Sequence, residues 1–239
     1  MPHRILTLSE AADYLHVAEA DVERLVKERE IPFETQRDRP IFRKKQIDAW
    51  ASQRILGMSG NRVSDYHRRS IPRVSQGPQG RALIPELTRP DRMAPELASR
   101  TKPSVLRDMV ALAGRTDLVS DTAELLASLE EREALCSTAV PGGFALLHPR
   151  HHDPYIFAES FLILGRAVHP IHAGAEDGEP TDLFFLVCCQ DDGIHLHTLT
   201  RLCTMCLNTP LLSALRAAAD GAAMFECLCS AEQAILARR

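Results

Sequence analysis

The chain has no apolar run of the length that crosses a bilayer, about twenty residues, so membrane insertion is not expected. Its first residues, Met1-Pro2-His3-Arg4-Ile5, lack the apolar core of a secretion signal. It also lacks an even set of cysteines. Seven is an odd number, and in a chain of ordinary core size it points to reduced thiols in a cytosol rather than a disulfide framework. Net charge is small, −4 over 239 residues, and no internal repeat is visible. No clean set of metal ligands is completed, and no cofactor is expected. What remains is an ordinary globular composition, 45% hydrophobic, of a length that allows one or two domains. A cytoplasmic location is the expectation.

Charge divides the chain into three. Residues 1–53 hold nine Lys/Arg against ten Asp/Glu, residues 54–81 six against one, and residues 82–239 thirteen against twenty-one. The basic middle is punctuated by Gly57, Ser59, Gly60, Pro72, Gly77, Pro78 and Gly80, with little apolar periodicity, and reads as a flexible linker. Its arginines, among them Arg62, Arg68, Arg69, Arg73 and Arg81, either lie along DNA phosphates or keep a tether soluble.

In the head, Thr7 and Ser9 precede a helix with Leu8, Ala11, Ala12 and Leu15 on one face. After a break at His16-Val17, a second helix spans about residues 18–29, with Val22, Leu25 and Val26 inward. Gln36 to Pro40 makes a turn between two short extended pieces, and Lys45 to Trp50 closes the unit as a helix. Helix, tight turn, helix, wing, helix is a winged helix-turn-helix order. Leu8, Glu10-Ala11-Ala12, Leu15, Val17, Phe42-Arg43-Lys44 and Ile47-Asp48-Ala49-Trp50 resemble the excisionase-type, MerR-like helix-turn-helix family. The resemblance covers residues 1–53 and implies DNA binding, with the second helix in the major groove and the wing on the backbone. The candidate contacts are Arg24 and Lys27 on that helix and Arg37, Arg39, Arg43, Lys44 and Lys45 around the wing. Glu19, Asp21 and Glu23 stand early in the same helix; they suit a helix N-terminus but oppose a duplex. A head that docks to proteins is therefore the alternative, and a homodimer stays open.

The tail, residues 82–239, centres on Gly143-Phe144-Ala145-Leu146-Leu147-His148-Pro149-Arg150. An apolar strand delivers one imidazole to its end. Pro149 stops the strand, since it has no N–H to donate, and biases His148 to extended angles. A histidine at a strand rim can be packed on one side and open on the other, which suits a reacting group. A core or surface histidine is the alternative from this octapeptide alone. Leu83–Leu87 reads as a short strand or entry segment. Helices follow from Lys102 and over Thr122–Glu133, the latter with Ala123, Leu126, Ala127 and Leu129 inward. Strands near Phe161–Leu164 and Leu183–Cys189 precede helical patterns at His195–Leu207, Pro210–Ala219 and Ala222–Leu236. Mixed strands and helices make the tail an α/β layered domain.

Arg132-Glu133 before Ser137-Thr138, the glycine-led strand to His148, and the later His195-Leu196-His197-Thr198-Leu199 stand in one order. In that order they resemble the phosphotransferase system IIA domain of the fructose/mannitol/nitrogen-regulatory type. The resemblance implies a mixed sheet flanked by helices and a phosphocarrier-type transfer through a phosphohistidine. It makes His148 the phosphoacceptor, His195 the second histidine and Arg132 the nearby charge, with the histidine phosphocarrier protein as donor. The whole chain then reads as a bacterial regulator of transcription linked to the phosphotransferase system. An alternative is a phosphocarrier or sensor module. The family pattern has Pro before and Gly after its histidine, whereas Leu147 and Pro149 stand here. Either the acceptor loop suits another donor or transfer is slow, or Pro149 fixes the strand end by another route. Two metal readings compete: zinc on His148, His151, His152 and Asp153, and the C-x-x-C of Cys203 and Cys206. The first completes no ligand spacing, and the second lies in an apolar helix and favours core packing.

Overall fold

A computed structural model describes residues 5–66, 83–150, 156–190 and 192–237. Its head comprises β1 (Ile5–Leu6), α1 (Leu8–Leu15), α2 (Glu19–Lys27), β2 (Glu34–Gln36), β3 (Arg39–Arg43) and α3 (Lys44–Leu56). Thr7 caps α1 reciprocally with Glu10: its hydroxyl accepts from the Glu10 N–H, and the Glu10 carboxylate accepts from the Thr7 N–H. The three strands pair antiparallel in the order β1-β3-β2. Arg37 and Asp38, at φ 49° and 61°, form the two-residue turn of the wing, the left-handed pair that suits a tight hairpin.

The linker expectation is corrected in its first part. α3 continues to Leu56, and residues 60–66 form a further helix, α4. Ile55, Leu56 and Val63 are buried there, and burial of an apolar stripe outweighs the glycines that suggested a tether. Arg68, Arg69, Arg73 and Arg81 lie outside the described residues.

The tail opens with α5 (Ile84–Leu87), a helical turn where a strand or entry segment was expected. Pro85 sits in its first turn, where its fixed φ suits a helix and its missing N–H is no loss. A 3-10 turn over Pro90–Arg92 leads to β4 (Met93–Leu97), α6 (Lys102–Gly114), α7 (Thr122–Leu135), β5 (Ala139–Val140) and β6 (Phe144–Leu147). Then come β7 (Phe161–Ile171), β8 (Thr181–Cys188), α8 (Asp192–Asn208), α9 (Leu211–Ala217) and α10 (Gly221–Ala237). The five-stranded mixed sheet has the order β4-β7-β8-β6-β5. Its centre is a parallel pair, β6 beside β8, from Phe144↔Leu183 to Leu147↔Leu186.

Alternation along the strands builds two cores. Ala145, Leu147, Phe184 and Leu186 face α6 and α7. Phe144, Leu146, Leu183, Phe185 and Val187 face the other way, in one cluster with Leu196, Leu199 and Leu202 of α8 and Leu228 of α10. That second cluster runs on without a break into Leu15, Val22, Ile47, Ile55 and Val63 of the head. Each fully buried Leu, Ile or Phe contributes about 1.5–3 kcal/mol, so the head is joined to the tail by core and not by tether alone.

Candidate functional site

The site stands at the carboxyl ends of the parallel pair. β6 ends at Leu147 and hands His148 to the rim; β8 ends at Cys188 and the chain turns into α8, which carries His195. Carboxyl ends of parallel strands collect ligands because the loops there converge. The tight turn before β6 is held by Gly142 and Gly143, at φ 102° and 84°. A Cβ on Gly143 would come within 2.6 Å of Arg216 Nη2, and that same nitrogen donates to the Gly142 carbonyl at 2.8 Å.

The two imidazoles lie with ring centroids 4.9 Å apart, tilted by 51°. His148 is 2% exposed. Its Nδ1 is 2.8 Å from the Leu146 carbonyl, which can only accept, so Nδ1 carries the proton. Its Nε2 receives a hydrogen bond from Arg132 Nε at 2.9 Å, which requires a lone pair there. Both partners therefore fix one neutral tautomer, assigned from this network, with the nucleophilic pair on Nε2.

Arg132 reaches that place from the last turn of α7. The inward face of α7 is Leu125, Leu129 and Arg132, spaced i, i+4, i+7; Ala123 and Ala127 are exposed, which corrects the face expected from the sequence. Leu129 of the expected face is buried and Leu126 packs half-buried against the same core. Nη1 of Arg132 donates to the Cys136 carbonyl at 3.0 Å and to its Sγ at 3.3 Å. Nη2 is buried and has no hydrogen-bond partner among the described residues. Glu133 does not neutralise it: that carboxylate takes Lys102 Nζ at 2.5 Å and the Thr138 hydroxyl. A buried guanidinium met only by neutral acceptors costs several kcal/mol, and Nε of the same group already stands 2.9 Å from His148 Nε2.

Sequence reasoning missed one contributor. Ser52 of α3 is 1% exposed, and its Oγ lies 3.4 Å from His195 Nε2. Lys45, Asp48, Ala49, Ser52 and Gln53 of the head face Arg132, His148 and Arg150 across a cleft of about 620 Å³. Nothing in the sequence signals a contact between residues 143 apart.

The seven cations expected at DNA do not form one patch. Arg37 and Arg39 line a groove of about 930 Å³ with Gln36, Glu19 and Glu23. Arg24 pairs with Asp21 at 3.5 Å and Glu28 at 4.0 Å, and Lys27 is exposed at the end of α2. Arg43 makes two bonds to Glu34, at 2.5 and 3.0 Å, and holds that carboxyl below its usual range. Lys44 Nζ stands 5.7 Å over the Tyr14 ring, and Lys45 faces the His148 cleft instead.

Of the metal readings, His151, His152 and Asp153 lie outside the described residues. Cys203 and Cys206 are buried free thiols within α8; burial pushes Cys203 up to about 12 and Cys206 well above its ordinary value, which disfavours the thiolate a metal needs. Among the described residues no three His, Cys, Asp or Glu gather as ligands.

The family model described as "Phosphoenolpyruvate-dependent sugar phosphotransferase system, EIIA 2" matches residues 86–230, and a "Helix-turn-helix domain" model matches residues 5–55. A nitrogen regulatory protein of Bradyrhizobium diazoefficiens is 28% identical over 147 residues, 61% of this chain and 94% of that protein. The nitrogen regulatory protein IIA-Ntr of Neisseria meningitidis superposes with a TM-score of 0.56 at 23% identity, covering 62% of this chain and 99% of that one. IIA mannitol of Escherichia coli gives 0.53 at 14% identity, over 59% and 98%.

Proposed function

This chain belongs to the EIIA 2 family of the phosphoenolpyruvate-dependent sugar phosphotransferase system, and we propose that it accepts a phosphoryl group on Nε2 of His148. One observation carries the reading: Nδ1 of His148 is committed to the Leu146 carbonyl while Nε2 keeps its lone pair beside a buried arginine. The donor is a histidine phosphocarrier protein. As the donor's N–P bond breaks and its electron pair returns to the donor nitrogen, the Nε2 pair forms the new N–P bond. The proton stays on Nδ1, donated to the Leu146 carbonyl. Arg132 then turns from the ring nitrogen to the phosphoryl oxygens, where its charge acts on the oxygens that carry the developing charge. His195 supplies the second imidazole beside them.

The helix-turn-helix head makes the chain a DNA-binding regulator in the cytoplasm, with Arg37 and Arg39 at the wing as its phosphate contacts. No helix among the described residues is long and apolar enough to cross a membrane. A second reading, in which the head serves protein docking, is favoured by the contact of α3 with the tail.

Intact-mass measurement tests the first half. With phosphoenolpyruvate, the general phosphotransferase enzyme and the histidine phosphocarrier, the wild type is expected to gain one phosphoryl group and His148→Ala none. No gain beside a competent control acceptor would refute the acceptor role. For the head, affinity for operator DNA is expected to fall with salt, with a shallower slope in Arg37→Ala/Arg39→Ala; a slope unchanged by these substitutions would favour the docking reading.

A further inference from the structure

The surface around a phosphoacceptor has to admit a protein. Even a small transient complex covers roughly 500–600 Å² on each partner. Here that surface is already taken. α3 lies over the rim where His148 and His195 emerge, and Ser52 reaches His195 Nε2 at 3.4 Å. Lys45, Ala49 and Ser52 share one face of α3 by their i, i+4, i+7 spacing, and that face looks across the cleft at Arg132 and His148. A second clasp lies at the far end of α8: Asn208 Nδ2 donates to the Gly60 carbonyl at 2.9 Å and to Ser64 Oγ at 2.5 Å. Ser52 is buried at a position that the head's own core does not require, since Ile47, Ala51 and Ile55 form the adjoining row.

We propose that the head is a cover on the phosphoacceptor site: α3 and the phosphoryl donor compete for one surface, so that the head must leave before His148 is phosphorylated by a protein. The proposal rests on the acceptor role given above and adds its control. The cleft of about 620 Å³ beneath α3 has room for a small phosphoryl compound but not for a protein. Transfer from a protein donor therefore scales with the fraction of molecules whose head is undocked, while transfer from a small donor does not. Among the described residues the wing groove is lined by head residues alone, so docking does not occupy it with any described part of the tail.

The test uses the full chain with two donors. One is the phosphorylated histidine phosphocarrier; the other is phosphoramidate, which passes its phosphoryl group to the imidazole and releases ammonia. Ser52→Arg places bulk and charge in the interface beside Arg132. Asn208→Ala removes the second clasp and is the independent variant should the first misfold, with circular dichroism as the check. Both variants are expected to gain phosphate on His148 about tenfold faster than wild type from the protein donor, which corresponds to about 1.4 kcal/mol of docking. With phosphoramidate Asn208→Ala, whose bonds to Gly60 and Ser64 lie at the far end of α8, is expected to react as wild type does; a matching gain with this donor would overturn the cover. Equal rates from the protein donor in all three would overturn the cover and leave the acceptor role standing. No phosphate on His148 from either donor would overturn the acceptor role, and the cover with it.

Discussion

Arg132 carries a charge that nothing around it among the described residues neutralises. Its three acceptors are an imidazole nitrogen, a carbonyl and a thiol, and such a burial is weak support for a fold. The position separates stability from function. Arg132→Met keeps the length of the side chain and drops the charge. Its melting temperature is expected to equal or exceed that of wild type, while phosphorylation of His148 slows by about a hundredfold, the usual scale for losing one donor to a developing anion. Calorimetry and the rate of mass gain read the two effects; a large drop in melting temperature would make Arg132 a structural residue instead. At this scale motif order singles out His148, His195 and Arg132, which the structure places side by side. Ser52 was not legible. A serine facing away from a helix's first apolar row looks like any surface serine until the helix that covers it is known.

Among the elements, the middle of the sheet depends on a close approach at Gly165 of β7. A Cβ there would meet Leu97 Cδ1 at 2.4 Å and Met109 Sδ at 2.9 Å, so β4 and α6 both press on this strand. Gly165→Ala is expected to cost about 1–3 kcal/mol by overpacking, read as a lower urea midpoint with an unchanged slope; an unchanged midpoint would mean that Leu97 gives way freely. The first two helices of the head and the long helices of the tail are legible within a few residues, since their apolar spacing is strong; the end of α3 and the whole of α4 are not. Nor are β4 and β5. β4 contains Pro95 and pairs in parallel with β7, some seventy residues on, and β5 has two residues. Neither leaves a local alternation to find. The face of α7 was misjudged for a related reason: the stripe ends on a charged residue, and periodicity of apolar positions alone does not include it.

Across the whole molecule, head and tail share one apolar cluster. Trp50 is the only tryptophan in the chain and lies in the head, with Nε1 donating to the Glu30 carbonyl at 2.6 Å; it also lines the cleft toward Arg132 and His148, so its fluorescence reports on the head and its docked face. Leu199 is fully buried in the tail. Leu199→Ala is expected to lower stability by about 2–5 kcal/mol, and the Trp50 transition should shift by the same amount as the far-ultraviolet signal. A fluorescence midpoint left where it was would mean that the two parts unfold independently. Charge and composition divide the chain into head, linker and tail, but they do not reveal the burial that joins head to tail, because Ile55, Leu56 and Val63 sit in a basic, glycine-bearing stretch. The shared cluster also imposes an order in time. α3 leaves the ribosome more than a hundred residues ahead of α8, its partner. At synthesis rates of about 5–20 residues per second, the apolar rows of α3 and α4 wait on the order of ten seconds for the surface that covers them. The newborn head is a client for whatever shields nascent chains, and it acquires its finished form only when the C-terminal third of the protein has been made.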